Sequence, residues 1–110
     1  MSRELGTDYN GNPFSNDVKD KVWAKVPRSD RGLVGHLFKN DKCDAPMRYS
    51  SYGDRDSEDG WEIDHINPVE NGGTDDIENL QALNWRNNAG KSDNYPVWYC
   101  TVPNRKPIVE

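Results

Sequence analysis

Residues 61–93 read WEIDHINPVENGGTDDIENLQALNWRNNAGKSD, and this stretch decides the architecture. Trp61–Ile66 alternates in character, as a strand does. Asn67-Pro68 ends it, because proline has no N–H to donate to a ladder. Asn71-Gly72-Gly73 signals a tight turn or loop. Thr74–Glu78 has the length of a single helical turn, and Leu80–Leu83 reads as a second short strand. Asn84 suits the N-cap of a helix running from Trp85 to about Asp93, since its side-chain oxygen can accept from an unpaired first-turn N–H. Gly90 weakens that helix, and Pro96 forbids its extension.

Outward from this centre the signals thin. Residues 1–15 are polar and rich in Gly and Asn, and are expected to be an irregular lead-in. Asn16-Asp17 can cap a helix from Val18 to about Val26, with Val18, Val22, Trp23 and Val26 at helical spacing. Pro27 stops it. Gly32–Phe38 (GLVGHLF) suits a short buried strand or a turn, and residues 39–60 look loop-like. The tail, YPVWYCTVPNRKPIVE, reads as extended. No internal repeat is visible.

A chain of 110 residues with 33% apolar and 30% charged side chains fits one small domain with a small core. Domains of this size often lean on a metal, a disulfide or a partner. The two cysteines, Cys43 and Cys100, are too few for a disulfide framework or a four-cysteine zinc site. They are expected to be reduced, partly buried thiols, with a Cys43–Cys100 disulfide as the alternative. No N-terminal apolar stretch resembles a signal peptide, and no run approaches a membrane span. The expectation is a soluble, cytoplasmic protein without membrane partners.

The net charge of −5 argues against nucleic acid at first sight, but its distribution does not. Residues 16–48 carry eight basic and five acidic side chains, residues 49–85 one and ten, and residues 86–110 four and two. An acidic centre suits cation binding, and basic flanks suit phosphates.

Asp64-His65, then Asn79-Leu80-Gln81, then Asn87-Asn88-x-x-Lys91 form the polar skeleton of the central stretch. In this order and spacing the skeleton resembles the signature of the HNH endonucleases. The resemblance covers roughly the central third of the chain. It implies an α+β domain over residues 16–110 built around a ββα-metal core at 61–93. It also implies that His65 is the general base, that Asp64 is a metal ligand, and that Asn88 stands at the third signature position. Asn79 would hold the loop that carries His65.

The chemistry explains these residue types. Phosphodiester hydrolysis needs a water relieved of a proton and positive charge where negative charge develops. Histidine titrates near neutrality. Asp64 and Asn88 offer hard oxygens to Mg2+ or Mn2+. Lys91, three residues beyond Asn88 on the same helical face, and Arg86 are candidates for a substrate phosphate. Adjacent residues on a regular strand point to opposite faces, so Asp64 and His65 share a cleft only if the strand twists or ends there.

One departure from the family matters. Many members flank the motif with two Cys-x-x-Cys pairs that bind a structural zinc. The equivalent positions here are Asn40, Cys43, Asn84 and Asn87, a poor zinc site. No structural zinc is expected, with packing around Trp61 and Trp85 in its place. The Asp54–Gly60 run resembles the start of a calcium-binding loop, but its glycine is one place late, so a solvated acidic loop is expected. His36 and the four tryptophans are read as structural.

The expected function is metal-dependent hydrolysis of DNA. Nothing in the motif reads the sugar, so RNA stays open. The rival reading is a catalytically weak nucleic-acid-binding or structural subunit of a phage or defence complex. The sequence is silent on oligomeric state.

Overall fold

The computed structural model of the protein describes residues 4–27 and 34–110. Residues 1–3 of the lead-in, Arg28 and Arg31 of the basic flank, and the first two residues of the 32–38 stretch lie outside the described residues. In chain order the elements are α1 (Asn16–Lys25), β1 (Phe38–Asn40), β2 (Pro46–Arg48), β3 (Trp61–His65), β4 (Leu80–Asn84), α2 (Trp85–Lys91), β5 (Val97–Tyr99) and β6 (Pro107–Val109). The strands pair as three antiparallel ribbons, β1–β2, β3–β4 and β5–β6. The fold is α+β.

The central ribbon and α2 form where residues 61–93 predict them. Asn84 is the N-cap of α2, and its side chain accepts from the Arg86 N–H. The helix ends at Lys91 rather than near Asp93, because Ser92 turns to φ 49°. Gly90 is tolerated for a reason outside the helix: a Cβ there would stand 2.3 Å from Thr101 Oγ1. The tail passes that close.

Several expectations are corrected. The cap of α1 is Ser15, one residue before Asn16-Asp17, and its hydroxyl accepts from Val18 N–H at 3.2 Å. The stretch 39–60 is not all loop: it contains β2 and the end of β1. Asp41 makes that hairpin: its Oδ1 accepts the N–H groups of Cys43 and Ala45 at 2.9 Å each. The turn residues are polar, so no hydrophobic alternation marks the strands. The single helical turn is a 3-10 turn at Ile77–Asn79, with another at Val69–Asn71.

Every residue of β3 and β4 is buried, and the two faces of the ribbon differ. Trp61, Ile63, Leu80 and Ala82 share one face and pack with Met47 and with Val22 and Trp23 of α1. Each such large apolar side chain contributes roughly 1.5–3 kcal/mol on full burial. Glu62, Asp64 and Gln81 lie on the other face, which α2 covers with Asn88 and Lys91. A buried polar face of this kind must be satisfied by hydrogen bonds.

The cysteines are not reduced thiols. Cys43 and Cys100 form a disulfide with a Cα–Cα distance of 5.8 Å. The β5–β6 ribbon folds back beside the β1–β2 turn, and a separation of 57 residues hides that proximity in the sequence. Around the disulfide, Leu83, Trp98 and Ile108 make a second apolar cluster. Among the described residues no helix is long and apolar enough to cross a membrane.

Candidate active site

His65 is the last residue of β3, so the chain is free to turn immediately beyond it. Asn79 controls that turn. Its Oδ1 accepts Asn67 N–H at 2.9 Å, while its Nδ2 donates to Asn67 O at 3.1 Å and to Thr74 O at 2.8 Å. One side chain thus clamps both ends of the loop after His65. Gly73 closes the loop: a Cβ there would stand 1.7 Å from the Asn67 carbonyl oxygen. Any side chain would force the backbones apart.

Asp64 points to the polar face of the ribbon. Gln81, its cross-strand partner, donates Nε2 to Asp64 Oδ2 at 2.9 Å, and Lys91 Nζ lies 3.3 Å from the same oxygen. Burial pushes the Asp64 carboxyl up to about 6, against the pull of Lys91 and Gln81. Glu110 adds to the rise. No group among the described residues bonds Asp64 Oδ1.

Asn88 is oriented by charge. Arg55 forms a paired salt bridge to Glu62, with both contacts at 2.8 Å. Asn88 Nδ2 donates to Glu62 Oε1 at 2.8 Å. The carboxylate demands a donor, so the amide nitrogen faces Glu62 and the amide oxygen faces away. That oxygen, Oδ1, is buried and has no hydrogen-bond partner.

Asp64, His65 and Asn88 line one narrow cleft of ≈ 10 Å³, together with Ile63, Pro68, Ser92 and Asp93. This is about the room of one water. Leu5 and Gly6 complete the wall, so the lead-in lies over the cleft. Tyr9 N–H donates to the Asp75 carboxylate, and the Phe14 ring lies 5.8 Å from the His65 ring. The lead-in is therefore part of the site's surroundings.

The donor set fits a hard divalent cation. Asn88, whose buried amide oxygen has no partner, and Asp64 line one cleft, and magnesium takes few protein ligands. Among the described residues no group of three or more His, Cys, Asp or Glu could hold a metal ion.

Lys91 departs from its expected role. It is fully buried, and its Nζ is taken by the His65 carbonyl at 3.1 Å and by Asp64, so it does not present to a phosphate. It braces the two site residues instead. Arg86 donates to the Glu58 carbonyl and to Asn84, and it does not line the cleft. His36 does not line the cleft either; its backbone carbonyl accepts from Trp23 Nε1.

The four positions that the family resemblance marks for zinc thiolates are filled differently. Cys43 is in the disulfide. Asn84 Nδ2 donates to the carbonyls of Pro46 and Glu58, and Asn87 Nδ2 to Val102 O and Asp41 Oδ2. Asn87 Oδ1 accepts from Thr101 and Val102 N–H. Asp41 ties these together, because its Oδ2 also accepts Asn84 N–H. The expected replacement, packing of Trp61 and Trp85, is not what occupies this place. Trp61 sits in the α1 core, and Trp85 donates to the Ser57 carbonyl. The acidic loop 54–60 is likewise docked through its carbonyls as well as solvated.

Sequence reasoning missed Asp41, Arg55, Glu62 and Asp75, and named Gln81 in the motif without giving it a role. Glu62 carried a usable signal, since it lies two residues before Asp64 and so on the same strand face. Gln81 becomes visible once the register is known. Asp75 and Arg55 come from irregular loops, where spacing says nothing about proximity.

The HNH endonuclease family model matches residues 42–94. No curated protein and no solved structure matches the chain. The matched span takes in the β2 strand, the β3–β4 ribbon and α2, and thus every side chain of the Asp64–His65–Asn88 cleft except those of the lead-in. Over residues 42–94, just under half of its length, the chain therefore carries a match to the HNH endonuclease domain.

Proposed function

We propose that this chain is a metal-dependent endonuclease that hydrolyses DNA phosphodiester bonds. In this reading His65 is the general base, and Asp64 and Asn88 hold one Mg2+ or Mn2+. The observation that supports it is the shared cleft, in which the Asn88 amide oxygen is buried without a partner beside Asp64 and His65.

The bound cation would polarise a phosphate oxygen and offset charge on the leaving oxygen. His65 takes the proton of the attacking water. Lys91 and Gln81 hold one oxygen of Asp64, which leaves the other for the cation. Asn79 keeps the loop after His65 in place. Leu5 and Gly6 of the lead-in line the cleft beside these residues.

The test is plasmid nicking by the purified protein with Mg2+, with Mn2+ and with chelator, alongside His65→Ala and a parallel RNA substrate. Metal-dependent nicking that falls roughly 10²–10⁴-fold in His65→Ala is expected. DNA binding without cutting would instead favour a non-catalytic binding subunit.

A further inference from the structure

We propose that Asp75 is a positioning residue that fixes His65 in the tautomer with the proton on Nε2, so that Nδ1 is the atom that takes the proton from water. This rests on the reading of His65 as general base.

The geometry carries it. Asp75 Oδ1 lies 2.7 Å from His65 Nε2. A carboxylate only accepts, so the ring nitrogen facing it must carry the hydrogen. In a neutral imidazole the lone pair is then on the other nitrogen. No group among the described residues bonds Nδ1.

The carboxylate is itself held. Tyr9 N–H donates to both Asp75 oxygens, at 3.1 and 3.2 Å. Thr74, the residue before Asp75, is fixed through its carbonyl by Asn79, which also grips Asn67, two residues after His65. Histidine and carboxylate thus stand at the two ends of one clamped loop. The ring has little freedom to turn, since His65 is 3% exposed and Phe14 lies against it. A base whose partner is oriented by a third group is the general plan of an activated acid–base pair. Asp75 is the orienting group here, and it lies outside the signature.

The experiment uses the full chain. Only two histidines are present, His36 and His65, so long-range ¹H–¹⁵N correlation spectra can be assigned with a His36→Gln control. Wild-type His65 should show the Nε2–H tautomer. In Asp75→Asn the amide can donate to Nε2, and the spectrum should move toward Nδ1–H. Metal-dependent nicking should then lose roughly 10²-fold in kcat with KM within about two-fold, and Asp75→Glu should recover part of it. Wild-type kcat in Asp75→Asn, or a kcat loss with an unchanged tautomer, overturns the proposal while leaving His65 as base. Wild-type cutting by His65→Ala is a different result: it removes the base reading, and with it what Asp75 would position.

Discussion

Asp41 Oδ2 accepts a hydrogen bond from the side-chain nitrogen of Asn87 at 3.0 Å, and both residues are buried. The pair joins the β1–β2 turn to α2. The same carboxylate also accepts the backbone N–H groups of Cys43, Ala45 and Asn84. Asp41→Ala leaves these donors without their acceptor, and each unsatisfied buried group costs about 1–3 kcal/mol. Water and relaxation recover part of the sum, so we expect a loss of about 3–5 kcal/mol, read as a lower denaturation midpoint. A loss below about 1 kcal/mol would show that the network is not what holds the turn to the helix.

The Cys43–Cys100 bond closes a separation of 57 residues. By loop-closure entropy such a cross-link is worth about 4 kcal/mol, a figure that native strain usually reduces. Treatment with a reductant should lower the unfolding free energy by about 2–4 kcal/mol, and Cys43→Ala with Cys100→Ala should reproduce the effect. The β5–β6 ribbon should then exchange its amide hydrogens faster than β3–β4 does.

Asp64→Asn keeps shape but removes the charge that would face a cation. Calorimetric titration with Mn2+ should give one site in the wild type, weakened roughly 10-fold or more in this variant. Asn88→Ala should weaken it as well. Unchanged Mn2+ affinity in both would detach these residues from the metal.

Gly73→Ala places a methyl 1.7 Å from the Asn67 carbonyl oxygen, so backbone must move. We expect about 1–3 kcal/mol of destabilisation and a larger proportional loss of nicking, because the loop carrying Asp75 shifts relative to His65. A variant with normal cutting would mean that the loop relaxes without displacing the pair.

Glu110 offers a test against pH. Burial draws its carboxyl up, but hydrogen bonds from Lys42, Gln81 and Trp98 outweigh this and leave it below the ordinary 4.5. A lowered folded value means that the ionised form favours the fold. The contribution is complete above pH 4.5 and fades as pH falls through the lower folded value. The stability difference between wild type and Glu110→Gln should therefore be constant near neutrality and shrink in acid. A difference that grows on acidification would reverse the sign.

The β3–β4–α2 unit was legible because its signals are strong: alternation in WEIDHI, the Asn67-Pro68 stop and the Asn84 cap. The Asp64–His65 geometry was legible only as a condition, and the end of β3 at His65 meets it. The β1–β2 hairpin was not, because Asp41 organises it through side-chain acceptance rather than through hydrophobic pattern. Lys91 was placed on the correct face of α2, but that face is covered, and helical spacing does not tell a buried face from an open one. Asp75 and Cys100 reach their partners through loops and a folded-back ribbon, which no local rule locates.

The Asp41–Asn84–Asn87 network also bears on how this chain can change over generations. Rebuilding a thiolate site would need cysteine at positions 40, 84 and 87 and release of Cys43 from Cys100. Introduced singly at 84 or 87, cysteine removes buried hydrogen bonds before any metal could compensate. The first step lies downhill in stability and the benefit arrives only with the last. From this sequence, single substitutions at 84 or 87 therefore lead toward a thiolate site only through a loss of stability.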